Sequence, residues 1–409
     1  MTFNKMTIRD VPLENKVVLV RADYNVPLTS DRKISDDLRI RASLPTLRFL
    51  IKQKCKIVVM SHLGRPDGKR NSEYSLEPVA ERLKELLGRD VTFIEEDYGD
   101  KVKQAVKHAK PGDVLLLENL RFHPGEEAND LEFAHKIIAS TGARYLVQDG
   151  FGVVHRAHAS TSAIAQAIPS VAGFLLETEI DTITRAMQSP KRPMVAIMGG
   201  AKVSDKIKVI EAFVNVADKI LVGGAMANTF LAYKGYNMGK SMVESDQTVT
   251  LDKIYAAAKQ KLGDDSVDEF ILLPSDVAVT KEINDKAVRR VVDVSSLASD
   301  DIAVDIGDAT IERYAKELSL VHTAVWNGTM GLAEYQEFAH GSARVALSLA
   351  ANPSVLSIIG GGDTADFVLK WDGDGGASFT HVSTGGGASL DLMAGKVLPG
   401  VDVLLDAKK

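Results

Sequence analysis

Short apolar runs rich in Val and Ile recur along the chain and alternate with stretches whose apolar residues fall on one side of a helix. The first half carries Val17–Val20, Ile57–Met60, Val91–Ile94, Val114–Leu117 and Tyr145–Val147. The second half carries Met194–Met198, Ile220–Val222, Phe270–Leu273, Ala324–Trp326, Val355–Ile359 and His381–Val382. These runs are apolar at successive positions rather than at alternate ones, which is the pattern of strands buried on both faces of a parallel sheet. Leu76–Leu87 and Lys206–Ala217 are amphipathic at helical spacing. A strand–helix–strand rhythm of this kind predicts a doubly wound α/β fold.

About eleven strands are too many for one comfortable open sheet. The expected class is therefore two doubly wound parallel-sheet (Rossmann-like) domains joined by a helix hinge. Ser189, Pro190, Lys191, Arg192 and Pro193 form a breaker cluster just before a strong strand, and Gly173–Met187 upstream reads as a helix. The expected boundaries are 1–173 for the first domain, 174–189 for the hinge helix, 190–395 for the second domain and 396–409 for a tail that packs back on the first.

Composition narrows the class. With 409 residues, 45% hydrophobic and 25% charged, the chain can bury two large cores. A formal net charge of −6 argues against a nucleic-acid binder, although the average conceals local basic sites. The single cysteine, Cys55, rules out a disulfide framework and reads as a structural thiol in a reducing compartment. The opening residues have no apolar stretch of signal-peptide length. No run reaches the roughly 18 apolar residues of a membrane span, and Ile220–Ala232 is interrupted by two glycines and an asparagine. A cytoplasmic protein is expected, with neither nucleic-acid nor membrane partners.

Ligands of open α/β sheets sit beyond the carboxyl ends of the strands. In the first half those positions hold Arg21, Asp23 and Asn25; Ser61, His62, Gly64 and Arg65; Asn119, Arg121 and His123; and Asp149, Arg156 and His158. Arg39 opens a helix after a turn-rich loop. Arginine forks at several strand ends suit a small, highly anionic molecule, because guanidinium matches phosphate and carboxylate bidentately. Arg21 is the weakest candidate, since it can pair with Asp23. The histidines have no Cys or acidic partner at zinc-site spacing, so no zinc is expected.

The second half places glycine turns at its strand ends: Gly199–Gly200, Gly223–Gly224, Gly360–Gly361–Gly362 and Gly385–Gly386–Gly387. Such turns let backbone amides approach an oxyanion beside a helix N-terminus. Lys202 and Lys206, four apart, are expected on one face at the start of a helix, with Val203, Ile207, Ile210 and Val214 as the adjoining core stripe. Asp363 suits either an N-cap or a Mg2+ ligand on nucleotide phosphates. Glu334 suits a ribose hydroxyl or an ordinary surface acid.

Gly235–Ser241 falls one residue short of a phosphate-loop motif and follows no strand. Ile358–Ala365 is similar to a dinucleotide motif of flavoprotein reductases but lacks the full glycine pattern, which leaves a nucleotide-dependent oxidoreductase as the alternative class.

Together the motifs resemble one family from end to end. VRADYNVP, LRIRASLPT, SHLGRP, ENLRFHPGEE, DGFGVVHRAHAS, GGAKVSDKI, GGAMANTF, YNMGKSMVE, WNGTMGLAE, IIGGGDT and VSTGGGASLDLMAGKVLPGV stand in the order of the phosphoglycerate kinases. The WNGTMGLAE segment differs in carrying Thr329 and Ala333 where many members have proline and phenylalanine, and DGFGVVHRAHAS is looser around Val153 and Val154. The resemblance implies a glycolytic and gluconeogenic enzyme. It would pass a phosphoryl group between 1,3-bisphosphoglycerate and ADP, giving 3-phosphoglycerate and ATP, with Mg2+ accompanying the nucleotide.

The resemblance further implies that Asp23, Asn25, Arg39, His62, Arg65, Arg121 and Arg156 bind the triose. Lys202, Lys206, Asn327, Glu334, Gly361, Gly362, Asp363 and Thr364 would bind the nucleotide, with Asp363 on the metal. Lys202 and Arg39, with the amides of Gly385 and Gly386, would stabilise the phosphoryl group in flight. With the two ligands on different halves, transfer is expected to require hinge closure near Gly173–Met187 and Ser189–Pro193. A monomer is favoured, with a dimer as the second option.

Overall fold

Runs rich in Val and Ile favour the extended strand, where β-branched side chains pack well, and each such side chain buried contributes about 1.5–3 kcal/mol. A computed structural model describes residues 3–263 and 266–407 of the chain. Its first sheet contains β1 (Val17–Arg21), β2 (Lys56–Met60), β3 (Val91–Ile94), β4 (Val114–Leu117), β5 (Tyr145–Gln148) and β6 (Ser170–Ala172). All its pairings are parallel, in the order β3-β4-β2-β1-β5-β6. Successive side chains of a strand face opposite sides. Val18, Val20, Ile57, Val59, Val114 and Leu116 accordingly enter one core. Their neighbours Leu19, Val58, Met60, Leu115 and Leu117 enter another. Two buried faces are the reason the runs are continuous.

The second parallel sheet contains β7 (Met194–Met198), β8 (Lys219–Val222), β9 (Ile271–Leu272), β13 (Thr323–Asn327), β14 (Leu356–Gly360) and β15 (His381–Val382). Their order is β15-β14-β13-β7-β8-β9. The expected strand at Phe270–Leu273 is shorter, because a helical turn, Val267–Phe270, occupies its first residue.

A small antiparallel sheet was not expected: β10 (Asp276–Thr280), β11 (Arg290–Asp293) and β12 (Ile302–Ile306), in the order β11-β10-β12. Its apolar runs, Val277–Val279, Val291–Val292 and Ile302–Val304, are at most three residues long and flanked by charged or polar residues. Both ends of β11 are exposed. β10 opens on Asp276, whose carboxylate accepts the amides of Ala309 and Thr310 at 2.9 and 2.8 Å at the start of the helix Asp308–Leu318.

The chain forms two compact units, Met1–Asp181 with Val397–Lys409, and Thr182–Lys396. The division falls within the helix Phe174–Gln188. In the first unit the C-terminal segment lies along the N-terminal one: Met6 N donates to Leu405 O at 2.7 Å, and Ala407 N to Asn4 O at 2.8 Å. Among the described residues no helix is long and apolar enough to cross a membrane.

Candidate active site

The four strand ends that carry arginines belong to β4, β2, β1 and β5, four consecutive strands of the first sheet. Parallel pairing puts their carboxyl ends along one edge, so residues distant in sequence become neighbours. Arg39, second in the helix Leu38–Lys52, reaches into this group. Its Nη1 lies 3.1 Å from Asp23 Oδ2 and donates to Asn25 O at 3.0 Å. Asn25 Oδ1 accepts the Gly64 amide at 2.8 Å, and Arg121 Nη1 donates to Gly64 O at 2.9 Å. Asp23, Asn25, Arg39, Gly64 and Arg121 therefore form one linked set.

The charges are unevenly compensated. Arg21 is fully buried, donates to Ser160 Oγ at 2.7 Å and lies 3.9 Å from Glu126. It is structural support, as its adjacency to an acid suggested, although the nearby acid is chiefly Glu126. Arg39 is matched by Asp23 and Arg121 by the half-exposed Glu127 at 3.2 Å. Arg65 and Arg156 are exposed and form no ion pair among the described residues. The edge thus keeps free positive charge.

His62 lies within the cluster with Nδ1 3.3 Å from Arg21 Nη2. A guanidinium can only donate, so Nδ1 accepts and the ring proton sits on Nε2. Burial first, and then Arg21, Arg121, Arg39 and His158, hold this imidazole well below the usual histidine range. His158 is lowered to about 4 by burial first, and then by Arg21, Arg121, Arg156 and His155. Neutral histidines among arginines give donors without adding to the local repulsion.

Asp149, also at a strand end, has a structural role. Its Oδ1 accepts the amides of Leu175 and Leu176 at 3.0 and 3.4 Å at the start of the helix Phe174–Gln188. Burial pushes this carboxyl up to about 7.

In the second sheet, glycine turns follow β15, β14, β13, β7 and β8, five consecutive strands. Gly328 has φ +98°, and a Cβ there would meet the Gly199 backbone and Lys206 Nζ. Only a bare backbone lets the β7 and β13 turns approach this closely. Thr364 Oγ1 accepts the Gly328 amide at 2.7 Å, and Trp326 Nε1 donates to Gly328 O at 2.8 Å.

One expectation is corrected here. Lys202 and Lys206 do not share a helix face, because the helix begins only at Ile207, after a 3-10 turn over Ser204–Lys206. The glycine turn and the short 3-10 segment delay the helical register. Lys202 is an exposed loop residue. Lys206 folds inward, and its Nζ donates to Gly199 O at 2.8 Å and Asn327 O at 3.2 Å. Burial lowers its pKa to about 8, against the opposing charges of Asp363 and Asp205.

A cleft of about 1310 Å³ lies in this unit, lined among others by Gly200, Asn228, Asp305, Glu334, Asp363 and Trp371. Gly361 takes the N-cap position of the helix Gly362–Asp372, so Asp363 does not cap it. Asp363 is exposed and accepts no hydrogen bond among the described residues. One free carboxylate facing a cleft suits Mg2+, which takes one or two carboxylates and completes its shell with phosphate oxygens and water. Gly386 caps the short helix Gly387–Met393, and the amide of Gly385 donates to Ser383 Oγ at 3.1 Å.

Gly235–Ser241, the near-miss phosphate loop, follows the helix Gly224–Tyr233 instead of a strand. Its Lys240 nevertheless lines the cleft. Sequence reasoning missed two supporting acids. Glu126 accepts Ser160 Oγ at 2.6 Å beneath the arginines, and Glu244 receives the amides of Val203 and Ser204. Both lie inside motifs quoted above, but their partners are 34 and about 40 residues away, beyond any local signal.

A family model described as phosphoglycerate kinase matches residues 8–396. The phosphoglycerate kinase of Moorella thermoacetica is 47% identical over 402 residues, covering 98% of this chain and 99% of the relative. The structure of phosphoglycerate kinase from Coxiella burnetii superimposes with a TM-score of 0.83 at 35% identity, over 98% of both chains. The Pyrococcus horikoshii enzyme gives the same TM-score at 34% identity and 98% coverage of each.

Proposed function

The chain belongs to the phosphoglycerate kinase family and is a phosphotransferase with a carboxyl group as acceptor, and we propose that it interconverts 1,3-bisphosphoglycerate plus ADP with 3-phosphoglycerate plus ATP, in an Mg2+-dependent reaction. The observation that carries the reading is the division of chemistry. One sheet edge keeps uncompensated arginines, whereas the other sheet ends in glycine turns beside a free carboxylate.

In this reading the first unit holds the triose on Asp23, Asn25, Arg39, His62, Arg65, Arg121 and Arg156. Neutral His62 donates from Nε2 while the arginines meet the charged groups. The second unit holds the nucleotide on Lys206, Asn327, Glu334 and Gly361 to Thr364. Asp363 would hold Mg2+, which when bound neutralises charge on the nucleotide phosphates.

No covalent enzyme intermediate is needed. A terminal β-phosphate oxygen of ADP attacks the acyl phosphorus in line, the bond between phosphorus and the bridging acyl oxygen breaks, and its electron pair stays on that oxygen as the 3-phosphoglycerate carboxylate. The chain's task is positioning and charge neutralisation. Arg39, Lys202 and the amides of Gly385 and Gly386 supply donors to the moving group. The Gly385 amide must give up Ser383 Oγ to do so, which makes its use conditional on a rearrangement. Ligands carried on separate units must be brought together by a hinge motion, with bending expected at Gly173–Met187 and Ser189–Pro193.

Calorimetry tests the division. Arg65→Ala combined with Arg156→Ala should abolish 3-phosphoglycerate binding and spare ADP, and Asp363→Ala should weaken Mg2+–ADP and spare the triose. Small-angle scattering should show a smaller radius of gyration with both ligands than with either alone. Identical curves in all states would count against closure.

A further inference from the structure

We propose that Glu244 is a positioning residue for phosphoryl transfer, fixing the loop that carries Lys202 and Lys206; the inference rests on the function proposed above. The loop has little to hold it locally. The 3-10 turn over Ser204–Lys206 has Val203 at its N-cap, and the helix Ile207–Val216 has Lys206 at its own, and neither makes a side-chain capping bond. Orphan amides at such a start need an outside acceptor. Glu244 provides it from about 40 residues away. Its Oε2 accepts the amides of Val203 at 2.8 Å and Ser204 at 3.1 Å, and Oε1 accepts Ser204 Oγ.

The two amides lie between the two lysines in sequence. Fixing them fixes where the backbone sends Lys202 outward and where it turns Lys206 in. Glu244 is itself anchored: its amide donates to Thr229 Oγ1 at 3.1 Å, and Asn228 Nδ2 donates to Met242 O at 3.2 Å. Thr229 and Asn228 belong to the helix Gly224–Tyr233, which begins at the glycine turn after β8, and Asn228 lines the cleft. Glu244 therefore ties the loop after β7 to the helix after β8. Burial opposes its ionisation, but the bonds from Ser204 and Val203, with Lys202 nearby, hold the carboxyl below its ordinary range. A bound phosphate chain would pull both lysines toward itself, and this carboxylate gives the pull a fixed reference.

The test compares Glu244→Ala and Glu244→Gln with the unaltered chain. Misplacing a catalytic group by about 1 Å can cost on the order of a hundredfold in rate. Glu244→Ala should lower kcat by roughly tenfold to a hundredfold and weaken Mg2+–ADP binding, with the KM for 3-phosphoglycerate and the binding of that ligand unchanged. Glu244→Gln keeps an acceptor oxygen and should recover part of kcat. A purely structural role would instead lower the melting temperature while leaving the folded enzyme's kcat and nucleotide affinity intact, and that outcome overturns the proposal. Equal losses toward both ligands would overturn it too. If the unaltered chain showed no activity, the functional reading would fail, a result distinct from either.

Discussion

Lys206 Nζ donates to the Gly199 carbonyl oxygen at 2.8 Å, within the turn where a phosphate chain is proposed to lie. The Asn327 carbonyl accepts from the same ammonium at 3.2 Å, and burial lowers its pKa to about 8. An arriving polyphosphate offers stronger charge and would raise that pKa again. Above about pH 8 the free protein must therefore take up a proton to bind ADP. The association constant should fall with pH, approaching about one decade per pH unit. Calorimetry at pH 8.5 in buffers of different ionisation enthalpy measures the uptake. Lys206→Arg, which stays charged, should lose the dependence.

Arg39 tests the division of labour. It bonds Asp23 and Asn25 in the first unit and is proposed to meet the moving phosphoryl group. Arg39→Ala should lower kcat by roughly a hundredfold to a thousandfold, the range for removing one preorganised donor. ADP affinity should stay within about twofold, since the first unit is not expected to bind nucleotide. Steady-state kinetics with calorimetry separates the two effects, and parallel loss of ADP binding would contradict the assignment.

Gly328 tests the nucleotide floor. With φ +98° and the Gly199 backbone where a Cβ would stand, Gly328→Ala must separate the β7 and β13 turns. That shift displaces the carbonyls that hold Lys206 and the bond from Gly328 N to Thr364 Oγ1. The variant should lose at least tenfold in ADP affinity and unfold at a lower temperature, with 3-phosphoglycerate binding retained. Thermal unfolding monitored with each ligand reads all three.

The parallel sheets were legible because both faces of strands such as β2 and β4 are buried, which leaves a continuous apolar run. The β10–β12 sheet was not, because Arg290 and Asp293 flank a two-residue run in β11 and β10 opens on Asp276, whose carboxylate is taken up by the amides of Ala309 and Thr310 far along the chain. Strand-end logic found the arginines and glycine turns, since parallel topology forces those ends together. It could not see that Lys206 turns inward, because that depends on carbonyls contributed by two separate strands. Nor could it find Glu126 or Glu244, whose partners are set by tertiary folding.

The buried histidines predict an acid response. His158 falls to about 4, and His62 also lies well below its ordinary value. Between about pH 6.5 and 4 the unfolded chain therefore binds more protons than the folded one through these rings. Their contribution to stability is present above about 6.5 and is lost as pH falls. Asp149, raised to about 7, acts in the opposite sense over the same window, so the histidine contribution is read from the difference in urea midpoint between His158→Gln and the unaltered chain, which should move in the variant's favour as pH falls. A difference that stays constant with pH would show that His158 titrates normally in the folded chain.

The central claim is phosphoryl transfer to a carboxylate. The purified chain is mixed with ATP, Mg2+ and 3-phosphoglycerate, in the presence of glyceraldehyde-3-phosphate dehydrogenase and NADH. Absorbance at the NADH maximum should fall only when ATP, Mg2+ and 3-phosphoglycerate are all present, and Asp363→Ala and Arg39→Ala should slow it. No loss of NADH with the complete mixture, or loss without ATP, would contradict the account.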